Sequence, residues 1–333
     1  MKNKTFIIAE AGVNHNGDIR LAKQLIDAAV KAGADAVKFQ TWQTELLVTK
    51  DAKMAEYQIE NTRREETQFQ MLKRLELSYA DFTELKSYCD TLGITFMSTP
   101  DEEQSATFLD GLQAVFKIGS GELTNTPFLR HIARFAKPVI LSTGMGYLSE
   151  IEHAIATLCD AGLSLEMITL LHATTDYPTI PEDVNLLAMK TIAQAFPGVA
   201  VGYSDHTLGI EVPVAAVALG AKVIEKHFTL DKTMEGPDHK ASLDPQELAD
   251  MVTSIRNIEK ALGNGWKEPT KTERENRNIV RKSLVARKVI SVGSVITAEM
   301  LEIKRPGCGI SPARWDEVVG SVAKKNYQIG ELI

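Results

Sequence analysis

The sequence predicts a closed (β/α)8 barrel followed by a small C-terminal domain, and three observations carry that prediction. Between Thr5 and Thr229 the chain makes eight short apolar runs. Segments with apolar residues at helical spacing join one run to the next, and nearly every run ends in residues able to do chemistry. Parallel strands buried on both faces read as continuous Val/Ile/Leu-rich stretches, and strands alternating with helical patterns signal repeated βα units. In such a barrel the loops after the strands gather at one end, so eight polar strand ends converge on one mouth. The chain therefore reads as an enzyme.

Taken in order, the first run ends in Glu10 and the polar turn Asn14-His15-Asn16-Gly17. A helix over 18–32 follows, with Leu21, Leu25, Ile26, Ala29 and Val30 at helical spacing and a stop at Gly33. The second run ends in Lys38-Phe39-Gln40-Thr41. Residues 45–68 are polar, with many charges and few strand formers, and read as an extended loop over the mouth plus a helix start. Long insertions of this kind are usually functional or disordered. A helix over 79–92 leads to the third run, ending Ser98-Thr99-Pro100, and the fourth ends Lys117-Ile118-Gly119-Ser120-Gly121-Glu122. Helices over 127–135 and 149–161 flank the fifth run, which ends Ser142-Thr143-Gly144. The sixth contains His172 and closes at Tyr177-Pro178; helices over 186–195 and 210–220 flank the seventh, ending Ser204-Asp205-His206. The eighth ends Glu225-Lys226-His227-Phe228-Thr229, and a helix over 244–262 completes the barrel at 1–265.

Residues 266–282 are charged and poor in apolar side chains, as a linker should be. From Ser283 to Ile333 short runs separated by Gly293 and Pro306-Gly307 mark a compact module of about 50 residues, a size marginal on its own. With 333 residues and 44% hydrophobic content the chain can bury a large core. A net charge of -7 argues against a nucleic-acid partner. No apolar stretch is long enough for a bilayer, and no signal peptide precedes Phe6. Three cysteines without CxxC spacing favour a reducing cytoplasm.

The strand ends carry the chemistry. His206 and His227 end consecutive strands and are neighbours in space, so their imidazoles can hold a divalent metal with positions open to substrate oxygens. Alternation along the strand puts Glu225 on the side of His227 and Lys226 on the other. Lys38 and Lys117 end the second and fourth strands, where a buried lysine needs an anion to offset its desolvation. Ser120, Ser142 and Ser204 add hydroxyls, and Gly119, Gly121 and Gly144 leave backbone N–H groups open to close approach, so the set describes a phosphate and carboxylate cradle. Each serine alone could cap a helix, and either lysine could form a Schiff base as in aldolases. Glu10 and Glu122 read as capping or catalytic carboxylates. His172 reads as a core histidine, Tyr177 as the wall of a sugar pocket, and Asp238 in Gly236-Pro237-Asp238-His239 as an acceptor for sugar hydroxyls.

These motifs, from Ile8-Ala9-Glu10-Ala11-Gly12-Val13-Asn14-His15-Asn16-Gly17 to Ile224-Glu225-Lys226-His227-Phe228-Thr229, together resemble the sialic acid synthases. The segment Lys304-Arg305-Pro306-Gly307-Cys308-Gly309-Ile310-Ser311 resembles their C-terminal antifreeze-like (SAF) module. The resemblance spans essentially the whole chain. It implies condensation of phosphoenolpyruvate with N-acetylmannosamine to give N-acetylneuraminate and phosphate; the alternative acceptor is 2,4-diacetamido-2,4,6-trideoxymannose, which leads to N,N'-diacetyllegionaminate. It implies His206 and His227 as ligands of manganese, with magnesium or cobalt as substitutes. Lys38, Thr99, Lys117, Ser120, Ser142 and Ser204 would surround phosphoenolpyruvate. Tyr177, Asp238 and Arg305 would meet the sugar, with Arg305 reaching from the SAF module of one subunit into the barrel of the other in a swapped homodimer. Glu10 or Glu225 would orient the attacking water. Thr175 stands where some members carry asparagine, Asp101 where phenylalanine is common, and Phe39 where one branch has histidine. More remote alternatives are a Schiff-base aldolase and a non-catalytic sugar-binding protein.

Overall fold

The structure, a computed structural model, describes residues 4–62 and 64–333. The chain divides into two compact units, residues 1–263 and 264–333. In the first, eight parallel strands form one sheet: β1 (Phe6–Gly12), β2 (Ala36–Thr41), β3 (Thr95–Pro100), β4 (Phe116–Ile118), β5 (Val139–Ser142), β6 (Ile168–Ala173), β7 (Ala200–Asp205) and β8 (Val223–His227). Their order is β3-β2-β1-β8-β7-β6-β5-β4. β3 and β4 are neighbours without a ladder, so the sheet curls into a near-closed barrel, as the eight runs predict.

The period of two along each strand explains how this barrel is filled. One set of alternate residues gives a buried cluster of Ile8, Ala36, Met97, Ile140, Leu171 and Val223. Two residues further along the same strands come Glu10, Lys38, Thr99, Ser142 and Glu225. Gly202 holds the corresponding place on β7, where a Cβ would lie 2.7 Å from Leu171 Cδ2 and 3.0 Å from Val223 Cβ. The other alternate set, including Ile7, Ala9, Val37, Phe39, Phe96, Phe116, Leu141 and Ile224, packs against the helices in the main core.

Capping explains the helix boundaries. Asp18 accepts from Arg20 N to start Ile19–Ala32, and Gly33 ends it in the left-handed region at φ 80°. Reciprocal capping boxes start Tyr79–Leu92 (Ser78 with Asp81) and Pro245–Ala261 (Asp244 with Glu247). The helix Glu103–Asp110 has no counterpart in the sequence reading: it is only eight residues long and its buried face is no more than Ser105, Ala106 and Leu109. The 45–68 stretch is also more structured than an extended loop, with helices at Thr44–Leu47 and Glu56–Thr62 before Gln68–Leu75.

The segment read as a linker carries a helix, Lys271–Val280, started by a Thr270–Glu273 capping box. It groups with the second unit, where Gly307 N donates to Asn278 O at 2.8 Å. That unit contains the antiparallel pair β9 (Ser283–Ala286) and β10 (Leu301–Lys304) over a core of Leu284, Ala286, Ile290, Ile296, Leu301, Val318, Ala323 and Tyr327. No helix among the described residues is long and apolar enough to cross a membrane.

Candidate active site

The C-terminal ends of the strands open into a cavity of about 190 Å3 lined by Glu10, Lys38, Thr99, Lys117, Ser120, Ser142, Tyr177, Ser204, His206, Glu225 and His227, together with Gln40, Asp101, Gly119, Gly121 and Thr175. A larger cleft of about 580 Å3 by Lys31, Leu230 and Pro245 contains no buried titratable group, so size does not mark the chemistry here.

Two buried carboxylates and two buried lysines form the floor. Lys38 Nζ lies 2.7 Å from Glu10 Oε2 and 3.8 Å from Glu225 Oε2, and donates to Thr99 Oγ1 at 2.7 Å. Lys117 Nζ is 3.5 Å from Glu225 Oε1, which also accepts from Ser204 Oγ at 2.9 Å. The two acids are pushed apart. Burial raises Glu10 to about 7, with Lys38 opposing and Glu225 adding to the rise. Burial acts the same way on Glu225, but Lys117 and then Lys38 outweigh it and bring that carboxyl down to about 2. Lys38 is held above its ordinary range, because Glu10 and Glu225 outweigh the burial that disfavours its charge; burial brings Lys117 below its ordinary range. A permanently charged Lys38 fits an electrostatic anchor rather than a Schiff-base nucleophile.

Ser142 Oγ is buried and has no hydrogen-bond partner in the chain, as expected of a group waiting for a ligand. Ser120 Oγ accepts from Gly144 N at 3.0 Å, so that N–H is already engaged and not open to a ligand, contrary to the sequence expectation. A Cβ on Gly144 would stand 2.7 Å from Thr175 Cγ2 and 2.8 Å from Ser120 Oγ, which explains the glycine.

At the same mouth, His206 and His227 have ring centroids 5.5 Å apart. His206 Nδ1 faces the Thr174 carbonyl, an arrangement that puts the proton on Nδ1 and the lone pair on Nε2. Burial lowers both histidines, so each is neutral and able to ligate. His227 Nδ1 is buried without a hydrogen-bond partner, and Asp238 Oδ2 lies 3.9 Å from it. An orphaned imidazole nitrogen beside a second imidazole fits a divalent cation. No group of three or more His, Cys, Asp or Glu ligands is assembled among the described residues.

Residues 25–267 match the NeuB family, and residues 281–333 match the SAF domain. The chain belongs to the NeuB family. It is 52% identical over 331 residues to the N,N'-diacetyllegionaminic acid synthase of Campylobacter jejuni, covering 99% of each chain. It is 50% identical to the N,N'-diacetyllegionaminic acid synthase of Legionella pneumophila, over 98% of this chain and 93% of the relative. Among solved structures, the N-acetylneuraminic acid synthetase of Leptospira borgpetersenii, crystallised with citrate, is 36% identical with a TM-score of 0.72, covering 83% of this chain and 90% of that one. Sialic and legionaminic acid synthases are phosphoenolpyruvate-dependent condensing enzymes, and this chain is an enzyme of that kind. NeuB-family synthases are generally metal dependent.

Of the residues given catalytic, ligand-binding or metal roles by the family resemblance, all but Asp238 and Arg305 line this NeuB-family cavity. Asp238 is buried beside His227, and Arg305 is an exposed residue of the second unit. Asp205, which precedes His206, faces away from the cavity: it pairs with Lys226 and accepts from Tyr203 Oη at 2.9 Å between strands and helices. Glu122 accepts from Asn125 in a turn, and His172 Nε2 meets Val184 O at 2.8 Å, the satisfied core role read for it. Gln40 was missed, although it stands two residues from Lys38 on the same face of β2; its Nε2 donates to Glu10 Oε1 at 3.2 Å. Asp101 and Thr175, assigned no role from sequence, both line the cavity.

Proposed function

We propose that this protein condenses phosphoenolpyruvate with 2,4-diacetamido-2,4,6-trideoxymannose, giving N,N'-diacetyllegionaminate and phosphate. The observation that carries the choice of acceptor is identity: 52% and 50% over nearly the full chain to two legionaminic acid synthases, against 36% to the Leptospira sialic acid synthetase. N-acetylmannosamine, the acceptor preferred from sequence, takes second place, since all the motifs that suggested it belong to both kinds of synthase.

In this reading Lys38, Thr99, Lys117, Ser120, Ser142 and Ser204 hold the phosphate and carboxylate of phosphoenolpyruvate, while Tyr177 and Asp238 receive the sugar. His206 and His227 would hold a divalent ion, most simply manganese, with magnesium or cobalt able to replace it; when bound it polarises the sugar aldehyde. C3 of phosphoenolpyruvate forms the new C–C bond to the aldehyde carbon, whose oxygen takes a proton. C2 becomes electron-poor, and the carboxylate of Glu225, ionised between Lys117 and Lys38, stabilises it. Glu10, with its affinity for protons near neutrality, accepts one from the water that adds to C2. The C2 hydroxyl then gives up its proton and becomes the keto oxygen as phosphate leaves with its bridging oxygen and takes up that proton.

The second unit suits a swapped homodimer in which Arg305 of one subunit completes the sugar site of the other, and three free cysteines suit the cytoplasm. The acceptor assignment is tested by incubating the purified protein with phosphoenolpyruvate and each sugar in turn, reading product mass and released phosphate. Preferential turnover of the diacetamido sugar is expected; preference for N-acetylmannosamine overturns the choice.

A further inference from the structure

The excursion between β2 and β3 has no part in the chemistry above, yet it reaches the mouth. Gln68 N donates to Ala52 O at 3.0 Å, closing the base of a compact loop of the Ω type. Within it the helix Glu56–Thr62 buries only Thr62 and leaves Ile59 exposed, so little apolar area holds it down. What ties it to the barrel falls on the side given to the acceptor. The Tyr57 ring stacks on Tyr177 with centroids 5.1 Å apart and planes 25° from parallel. Asn61 Nδ2 donates to Pro237 O at 2.7 Å, one residue before Asp238, and Arg64 just beyond the helix pairs with Glu235 in the same loop.

Tyr177 is the relay. Its ring centroid lies 4.0 Å from that of His206, and its edge meets His227 at 5.7 Å. A run of three rings thus leads from the helix through Tyr177 to His206. No hydrogen bond or ring contact among the described residues joins this helix to Lys38, Lys117, Ser120, Ser142 or Ser204.

We propose that the helix Glu56–Thr62 is a lid over the acceptor half of the mouth, and that Tyr57, by stacking on Tyr177, is a positioning residue for the acceptor sugar. The inference rests on the assignment of Tyr177 and Asp238 to that sugar. A tyrosine side chain ordered in advance loses no rotamer freedom when a ligand arrives, whereas one freed by loss of its stacking partner must be ordered by the ligand itself. The loss falls on the acceptor alone, because the phosphoenolpyruvate groups are held by other elements.

Steady-state kinetics of the full chain test this with Tyr57→Ala, Tyr57→Phe and Asn61→Ala. For Tyr57→Ala the acceptor KM should rise about tenfold, the scale of one aromatic contact, while the KM for phosphoenolpyruvate stays within about twofold. Tyr57→Phe keeps the ring face and should behave as wild type, and Asn61→Ala should shift the acceptor KM in the same direction by less. Equal rises in both KM values, no rise, or a Tyr57→Phe defect as large as that of Tyr57→Ala overturns the proposal. Docking of the lid is also read without substrate, from tryptic cleavage after Lys53 and Arg64. Cleavage should quicken several-fold in Tyr57→Ala, and an unchanged rate overturns the lid. If wild type turns over neither sugar, the acceptor reading fails on its own while the tryptic rates still judge the lid.

Discussion

Lys38→Met removes the ammonium that two buried carboxylates share while keeping most of the side-chain volume. At an effective dielectric near 20, charges separated by 2.7 and 3.8 Å attract by about 6 and about 4 kcal/mol, before the ammonium's own desolvation is set against them. Removing one member of a buried pair costs about 3–5 kcal/mol net. Glu10 limits that cost by taking up a proton. With a folded value of about 7 against an ordinary 4.5, the neutral form costs about 3 kcal/mol at pH 7 at about 1.4 kcal/mol per unit. Wild-type Glu10 is already half protonated at pH 7 and bears most of that cost too, so the expected loss for Lys38→Met there is the low end of the buried-pair range, about 3 kcal/mol. Its pH dependence follows from proton counting. Between pH 5 and 6.5 folded Glu10 is protonated in both proteins and ionised in both unfolded chains, so the difference between them is constant. Above pH 7 wild-type Glu10 ionises beside Lys38 but the variant's does not; the folded variant retains the extra proton, and the difference should grow by about 1.4 kcal/mol per pH unit. Urea unfolding of ligand-free protein at pH 5.5, 7 and 8.5 measures this, with Lys38→Met/Glu10→Gln recovering most of the loss. A pH-independent difference, or a double variant no more stable than the sum of the singles allows, refutes the coupling.

Three other outcomes follow from the same geometry. His206→Ala should bind less divalent metal, measured by elemental analysis after dialysis, and lose at least about a hundredfold in activity, since outer partners of ligating histidines alone are worth 10–100-fold; chelator-treated wild type should be silent until metal is returned. Mixing inactive His206→Ala chains with inactive Arg305→Ala chains should restore about one competent site per mixed dimer, because one mouth then has both an intact histidine pair and an intact arginine; confirmed subunit exchange without activity refutes the swap. Gly202→Ala should lose about 1–3 kcal/mol by overpacking against Leu171 and Val223, read by urea unfolding.

Strand parity was legible in the sequence because it is local. A side chain two residues beyond an inward apolar residue on a barrel strand faces the same interior, so Glu10, Lys38, Thr99, Lys117, Ser142, Ser204, Glu225 and His227 could be named before any coordinates, and Gln40 follows by the same rule. Parity also set Lys226 apart from Glu225 and His227. The family too was readable, since its long ordered motifs lie in these strand ends and in the Lys304–Ser311 segment. Tertiary structure decided whatever depends on distance between loops. Asp205 adjoins His206 in the sequence, yet the outward course of its side chain gives it to Lys226. Asp238 reaches His227 only because the loop after β8 folds back, and Tyr57 reaches Tyr177 although 120 residues separate them in sequence. The unequal proton affinities of Glu10 and Glu225 likewise arise in three dimensions. Both are buried glutamates at strand ends, and they differ because Lys117 as well as Lys38 lies close to one of them. Periodicity reports the direction in which a side chain leaves its own strand, but not which loop or charge from elsewhere in the chain will meet it.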